Sequence, residues 1–425
     1  MKKTLTKQIL ILGILTGALC LSACAAQESG GQLEEAEKEA DGGGENVAKA
    51  AQQLEDLSSL QRAGNLQNMD ESGYYNGATE EEMQAFYLEE GGEIVLLTGN
   101  SKVMDESYQQ AIYEGIRYYA FCAENTYSYY SPGGTAESDY EACMDRAIDC
   151  GAKLIVCGGW EYDIIIGRYQ DRYPDIDFLI VDGEPEDENE EVIPAKENVH
   201  CIYCDCTTAG YLAGYMCVLE GYRKFGFMGG EVMQSVWLYG HGFMKGMDDA
   251  AKNLGCADEV SLNYTYTGTW LPNDDIYDKA CEWYDDGTEV IFSCGGGIYE
   301  SILAAAEEKG KYMIGVDVNQ NLLSDAVITS AINGVSTGVI NALDDYFAYE
   351  GWPDELAGKA RTYGSTDRCA SLPYDNASWH FKNVTVDDYF KLYSRITTRE
   401  IIIENSEEMP QVSYSVNVIN TGAGE

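Results

Sequence analysis

The chain has 425 residues, with 72 acidic side chains against 27 basic ones and a formal net charge of −45, and its pI is near 4.1. Such acidity excludes a nucleic-acid partner, which needs a basic footprint, and fits a protein kept soluble at a crowded surface. At 45% hydrophobic residues the chain can build packed cores, and its length leaves room for two domains beyond a leader and a tail.

The N-terminus reads as a targeting segment. Lys2, Lys3 and Lys7 precede the apolar run Ile9 to Leu21, and small residues follow before Cys24. A basic start, an apolar stretch of this length and a small-residue cut site make a secretory signal. The ending Leu21-Ser22-Ala23-Cys24 resembles the bacterial lipobox, which implies removal of residues 1–23 and lipidation of Cys24. The apolar run is short of the ~20 residues of a spanning helix. The expectation is a protein held on the extracytoplasmic face of the cell membrane by lipid alone. Residues 24–90 read as a Glu-, Ala- and Gly-rich spacer, with a weakly helical stretch from Val47 onward.

From residue 91, apolar strand-like runs alternate with helical patterns. The runs Ile94–Leu97, Thr126–Tyr130, Leu154–Val156, Phe178–Val181 and Val199–Tyr203 are separated or followed by helices near 105–121, 136–150, 161–172 and 207–221. A second series follows in the same rhythm: Phe225–Met228, Val260–Tyr266, Val290–Phe292, Met313–Val316 and Val327–Ala331, with helices near 235–254, 274–285, 298–309 and 335–349. Such alternation specifies parallel sheets covered by helices on both faces. The fold class is therefore α/β, with two similar lobes: 91–205 with 334–351, and 206–333 with 352–425. The last part is less regular, with a helix at Val386–Tyr393 and a strand-like run near Glu400–Ile403.

Fourteen cysteines are present. Cys157, Cys217 and Cys294 sit inside apolar patterns, as buried thiols do. The one cluster, Cys201, Cys204 and Cys206, lacks the second pair of a structural zinc site, and Cys201 and Cys204 diverge on a strand. Buried free thiols are expected, with no metal and no cofactor.

In a parallel α/β sheet, ligands bind at the carboxyl edge. The loop after the first strand offers Asp105, Ser107, Tyr108 and Gln109 within five residues: an acceptor, a hydroxyl, an aromatic ring and an amide. Asp317 ends the strand beginning at Tyr312, where it is either a ligand-facing carboxylate or the N-cap of the next helix. Gly295-Gly296-Gly297 would let backbone approach a ligand, and no Lys-Ser/Thr follows to make a phosphate loop. Trp160, after Gly158-Gly159, either lines the pocket or is structural. Two lobes behind a secretion signal describe a receptor that closes on a small molecule.

Five segments carry a family resemblance. They are MDESYQQAIYEGI (104–116), YPDIDFLIVDG (173–183), TTAGYLAGYMCVL (207–219), FGFMGGEVMQSVWLYGHGFMKGM (225–247) and EVIFSCGGGIYESILAAAEEKGKYMIGVDVNQ (289–320). In this order they resemble the basic membrane protein family of lipoproteins, the purine nucleoside receptors among ABC-transporter solute-binding proteins. The resemblance implies a type I periplasmic-binding-protein-like fold, an ABC permease as partner, and a purine held between two aromatic rings. It places those rings at Tyr108 and Tyr239, where Phe is usual, and the sugar-binding carboxylate at Asp317. It puts Asn333 where a ribose-contacting Lys is usual, which opens the site to a deoxyribonucleoside, a free base or another small polar ligand.

No catalytic constellation is visible. His200, His241 and His380 are far apart and no nucleophile elbow occurs. A non-enzymatic, monomeric binding protein is the expectation. The alternatives are a sugar receptor or ligand sensor of the same fold, and a nucleoside hydrolase.

Overall fold

The computed structural model describes residues 80–367, 369–403 and 414–420. The leader, Cys24 and the spacer through residue 79 lie outside them. The described chain opens with α1 (Glu80–Gln84) and then alternates β1 (Ile94–Leu97), α2 (Tyr108–Ala123), β2 (Tyr127–Tyr130), α3 (Glu137–Asp149), β3 (Leu154–Gly158), α4 (Asp163–Arg172), β4 (Asp177–Val181) and β5 (Val199–Cys204). A second unit repeats the rhythm with α5 (Cys206–Glu220), β6 (Lys224–Gly229), α6 (Gln234–Leu254), β7 (Ser261–Tyr266), α7 (Asp274–Asp285), β8 (Val290–Cys294), α8 (Tyr299–Lys309), β9 (Tyr312–Val316) and β10 (Val327–Ala331). The chain ends with α9 (Val335–Tyr349), β11 (Lys359–Tyr363), α10 (Val386–Thr397) and β12 (Asn417–Asn420).

Two six-stranded sheets result, ordered β11-β5-β4-β3-β1-β2 and β10-β9-β8-β6-β7-β12, and every strand pairing in them is parallel. β1 and its neighbour β3 are buried throughout, which is why both read as unbroken apolar runs rather than alternating ones. Successive residues still serve opposite faces. Ile94 and Leu96 pack with Ile112 and Ile116 of α2 and Val339 of α9, while Val95 and Leu97 pack with Met144 of α3 and Ile165 of α4.

In the second lobe, helices α5 and α6 meet through glycines. A Cβ on Gly210 would run into the Tyr239 carbonyl, one on Gly214 into that of Phe243, one on Gly242 into that of Thr207 and one on Gly246 into that of Tyr211. Spaced four apart on each helix, they form one stripe per helix and let the two backbones touch. This contact fixes the height and rotation of α6, and so of Tyr239.

Among the described residues the chain crosses between lobes three times: at Asp205, at 332–334 and between β11 and Ser371. These straps are bound to one another. Asp205 donates its N–H to the Tyr363 carbonyl at 2.8 Å, and Ile332 and Ser371 form an antiparallel bridge. Gly334 adopts φ +73°, and a Cβ there would strike the Cys369 backbone.

Three boundaries differ from the sequence expectation. Residues 352–425 do not all join the second lobe, because β11 pairs with β5 in the first sheet, Ala360 opposite Cys201. Its residues are exposed up to Thr362, so this edge strand carries no apolar pattern. Residues 80–90 are packed on the first lobe rather than belonging to a spacer: Met83 is buried against Tyr118, and Leu88 donates its N–H to the Tyr127 carbonyl. No strand forms at 401–403; the last strand is β12, beside β7. The helix expected at Val386–Tyr393 extends to Thr397, capped by Thr385 and Asp388 bonding reciprocally. The segment before it is held by Glu220, whose carboxylate accepts the N–H groups of Lys382, Asn383 and Val384 at 2.8–3.0 Å.

The twelve described cysteines are all free, and nine of them are buried. Cys201 and Cys204 face opposite sides of β5, in separate cores.

Candidate binding site between the lobes

The carboxyl ends of both sheets face one another, and the two lobes are joined there by direct hydrogen bonds. Ser107, the residue before α2, donates its hydroxyl to Asp317 Oδ2 at 2.7 Å. Tyr239 of α6 donates to Asp317 Oδ1 at 3.0 Å. Gln320 donates its amide to the Glu106 carbonyl at 2.6 Å. Asp317 adopts φ +63°, a conformation uncommon outside glycine and Asn/Asp, and this turns its carboxylate off the tip of β9. Burial pushes its pKa up to about 6, against the pull of Ser107 and Tyr239.

Asp105 caps the start of α2. Its carboxylate accepts the N–H groups of Ser107 at 2.9 Å, Gln110 at 3.1 Å and Gln109 at 3.3 Å, and the Ser101 hydroxyl at 3.1 Å. It satisfies the orphan donors at the start of α2 and thereby sets Ser107 and Tyr108 in place. Burial raises its pKa despite those N–H groups.

Tyr108 lies at the cleft, its hydroxyl donating to the Val181 carbonyl at 2.9 Å. Gln109 donates its amide to the Gly158 carbonyl at 2.6 Å, while its Oε1 has no partner. Tyr239 is buried, its ring edge-on to Phe292 at 5.9 Å and 88°. The phenol oxygens, absent where Phe is usual, are thus the anchors of both rings. Asn333 lies in the second crossing, where its amide reaches Cys206 Sγ at 3.8 Å and its Oδ1 accepts the Val335 N–H at 3.3 Å. It acts on the straps.

Gly296 and Trp160 stand apart from this constellation. A Cβ on Gly295 would strike the Gly230 backbone and then the Trp270 ring, one on Gly230 would strike that ring directly, and Gly297 donates its N–H to the Trp270 carbonyl at 2.8 Å. The glycines admit an indole here. Trp160 is 49% exposed, outside the buried contacts.

Sequence reasoning missed Asp182 and Glu161. Asp182 follows β4 as Asp317 follows β9, and it too has a positive φ, +57°. Its pKa is pushed up to about 7 by burial and then by the Asp317 charge, with the Cys204 N–H and the Tyr108 hydroxyl pulling the other way. Glu161 is raised by burial and by Glu231 of the opposite lobe. The signal for Asp182 was legible: Val181-Asp182 and Val316-Asp317 occupy the same place in the two repeats. Trp270 and Gln320 carried no such mark.

The histidines are engaged elsewhere. Nδ1 of His200 lies 2.8 Å from the Lys359 carbonyl, that of His241 lies 2.7 Å from the Tyr414 hydroxyl, and that of His380 lies 2.7 Å from the Val327 carbonyl. Among the described residues no group of three or more His, Cys, Asp or Glu side chains is arranged to hold a metal, and no helix is long and apolar enough to cross a membrane.

Two parallel α/β lobes, strapped three times and meeting at polar strand tips, have the architecture of the periplasmic-binding-protein-like solute receptors. The solved structures agree. A solute-binding protein of an ABC transporter system from Aeropyrum pernix K1 superposes with a TM-score of 0.60 at 17% identity, covering 74% of this chain and 94% of that one. A transcriptional activator of the comK gene from Bacillus halodurans gives 0.57 at 18% identity, covering 72% and 96%. At these identities the likeness shows the fold.

Residues 93–407 match the Bmp family, described as ABC transporter substrate-binding protein PnrA-like, and the chain belongs to that family. The ABC transporter nucleoside-binding protein BmpA of Lactococcus lactis subsp. cremoris (strain MG1363) is 24% identical over 313 residues, 68% of this chain and 83% of the relative. The chain is therefore an ABC transporter substrate-binding protein, of a family that works outside the cytoplasm with a small-molecule ligand and a permease as partners.

Proposed function

We propose that this protein captures a purine nucleoside between its lobes and hands it to an ABC permease, held outside the membrane by lipid on Cys24. The observation that carries the reading is the meeting of Ser107 and Tyr239 on one carboxylate, Asp317. A carboxylate at a sheet's carboxyl edge accepts two hydrogen bonds and suits vicinal hydroxyls. When a sugar takes that place, the protein donors are replaced or shared. Tyr108, on the other lobe, supplies a ring beside the same cleft, and flat rings favour a flat base. The likeness to a nucleoside-binding protein supports the same ligand class.

Titration calorimetry of the mature protein with adenosine, guanosine, inosine and free ribose tests the reading. Saturable binding of a nucleoside, with ribose alone far weaker, is expected. Binding of ribose without any nucleoside would move the protein to the sugar receptors, and release of free base from inosine would make it a hydrolase. Cys24→Ala should free the protein from the membrane fraction.

A further inference from the structure

We propose, building on the nucleoside reading of the cleft, that the preferred ligand is a cation: a nucleoside whose base bears a positive charge, seated against the Asp182 carboxylate, with Asp317 left to the sugar. The geometry is a surplus of acceptors. Asp182 and Asp317 stand at equivalent strand tips of opposite lobes, each turned off its strand by a positive φ. Glu161 of the first lobe also feels the charge of Glu231 of the second. Gln109 is 5% exposed and its Oε1 lacks a donor, although it lies at the point between β1 and β3 where the strand order reverses, next to Gly99, Gly158 and Glu161. The hydroxyls that could donate are already committed, Ser107 and Tyr239 to Asp317 and Tyr108 to Val181.

Among the described residues no positive charge is paired with these acceptors. Asp182 is faced by Tyr108 of α2, Cys204 of β5, Cys206 of α5 and Asp317. Asp317 is faced by Asp105, Ser107, Tyr239, Cys206 and Cys294. Every one of these is neutral or acidic. Among the described residues, the Lys and Arg ion pairs, such as Arg168 with Glu137 and Lys309 with Asp285, involve neither Asp182, Asp317, Glu161 nor Glu231. At position 333 the chain has a neutral Asn. Carboxylates held largely out of water without a counter-ion are costly, and an opposite charge beside them lowers that cost. A protonated or quaternised base brings both the charge and the N–H donors.

The pH linkage gives a sign that separates the cases. Burial holds both carboxyls above the ordinary carboxylate range, Asp182 at about 7 and Asp317 at about 6, so a neutral ligand that keeps them from water is expected to favour their protonated forms. Affinity for a neutral ligand then falls as pH rises through that range. A cation keeps both groups ionised, and its binding takes up no proton.

The test compares 1-methyladenosine, cationic at neutral pH, with its neutral isomer N6-methyladenosine and with adenosine, by calorimetry near pH 6.5 in two buffers of different ionisation enthalpy. The expected result is that 1-methyladenosine binds about tenfold or more tighter than either neutral nucleoside, without proton uptake, and that Asp182→Asn abolishes the preference. Equal or tighter binding of the neutral pair would overturn the cation inference and leave the nucleoside reading standing. If none of the three binds, the nucleoside reading fails and the inference falls with it.

Discussion

Asp182 and Asp317 occupy the same place in two copies of one fold, yet their surroundings differ. Asp317 receives two hydroxyls, one from each lobe, within 3.0 Å. Asp182 has a backbone N–H from Cys204 and the Tyr108 hydroxyl, which donates chiefly to the neighbouring carbonyl. Burial thus lifts Asp182 further, to about 7 against about 6. The fold delivers both carboxylates to the cleft, and the neighbours decide their work. The second-lobe group clasps Ser107 of the other lobe, and the first-lobe group makes no such clasp.

The contrast can be broken at the clasp. Asp317→Ala removes the acceptor shared by Ser107 and Tyr239, leaving buried hydroxyls short of a partner. Nucleoside affinity should fall by about 30- to 150-fold, or about 2–3 kcal/mol, read by calorimetry, with the far-UV spectrum unchanged. The support of Tyr239 is the next target. Gly242→Val pushes a side chain into the Thr207 carbonyl, and overpacking of this kind costs about 1–3 kcal/mol, read as a lower urea midpoint.

On the other lobe, Tyr108→Ala should weaken nucleoside binding by about 1–2 kcal/mol, whereas Tyr108→Phe should lose less and raise the Asp182 pKa, followed by carboxyl NMR titration. The comparison is sharpened by pH alone. Opening the lobes would expose Asp182 and Asp317 and return them toward the ordinary carboxylate range, so closure is expected to be favoured in acid and lost as pH rises to about 7. Small-angle scattering of the ligand-free protein should give a larger radius of gyration at pH 8 than at pH 5. Trp160→Ala, at a half-exposed position, should change affinity less than about threefold.

Much of this architecture was legible because parallel strands buried on both faces leave apolar runs, and the helices between them leave periodic ones. Strands such as Ile94–Leu97 and Val290–Cys294 announce themselves this way, and the recurrence of the rhythm gives two lobes. The edge strand at Lys359–Tyr363 does not, since one partner strand and solvent on the other side demand no apolar pattern. In the site, Ser107, Tyr108, Tyr239 and Asp317 were named from loop position and resemblance. Asp105 was named for a ligand contact, and its capping of α2 was not foreseen, because a carboxylate three residues before a helix can serve either task until the N–H groups are located.

By itself, then, the sequence determined the repeat, the carboxyl-edge location of the site and the acid at the end of Tyr312–Val316, since burial and chain direction are local consequences of residue pattern. Only the tertiary structure decided which acceptors share the cleft. Asp182 and Asp317 are 135 residues apart, and their opposition, with Ser107 and Tyr239 closing on one and not the other, exists only once three crossings bring two sheet edges face to face.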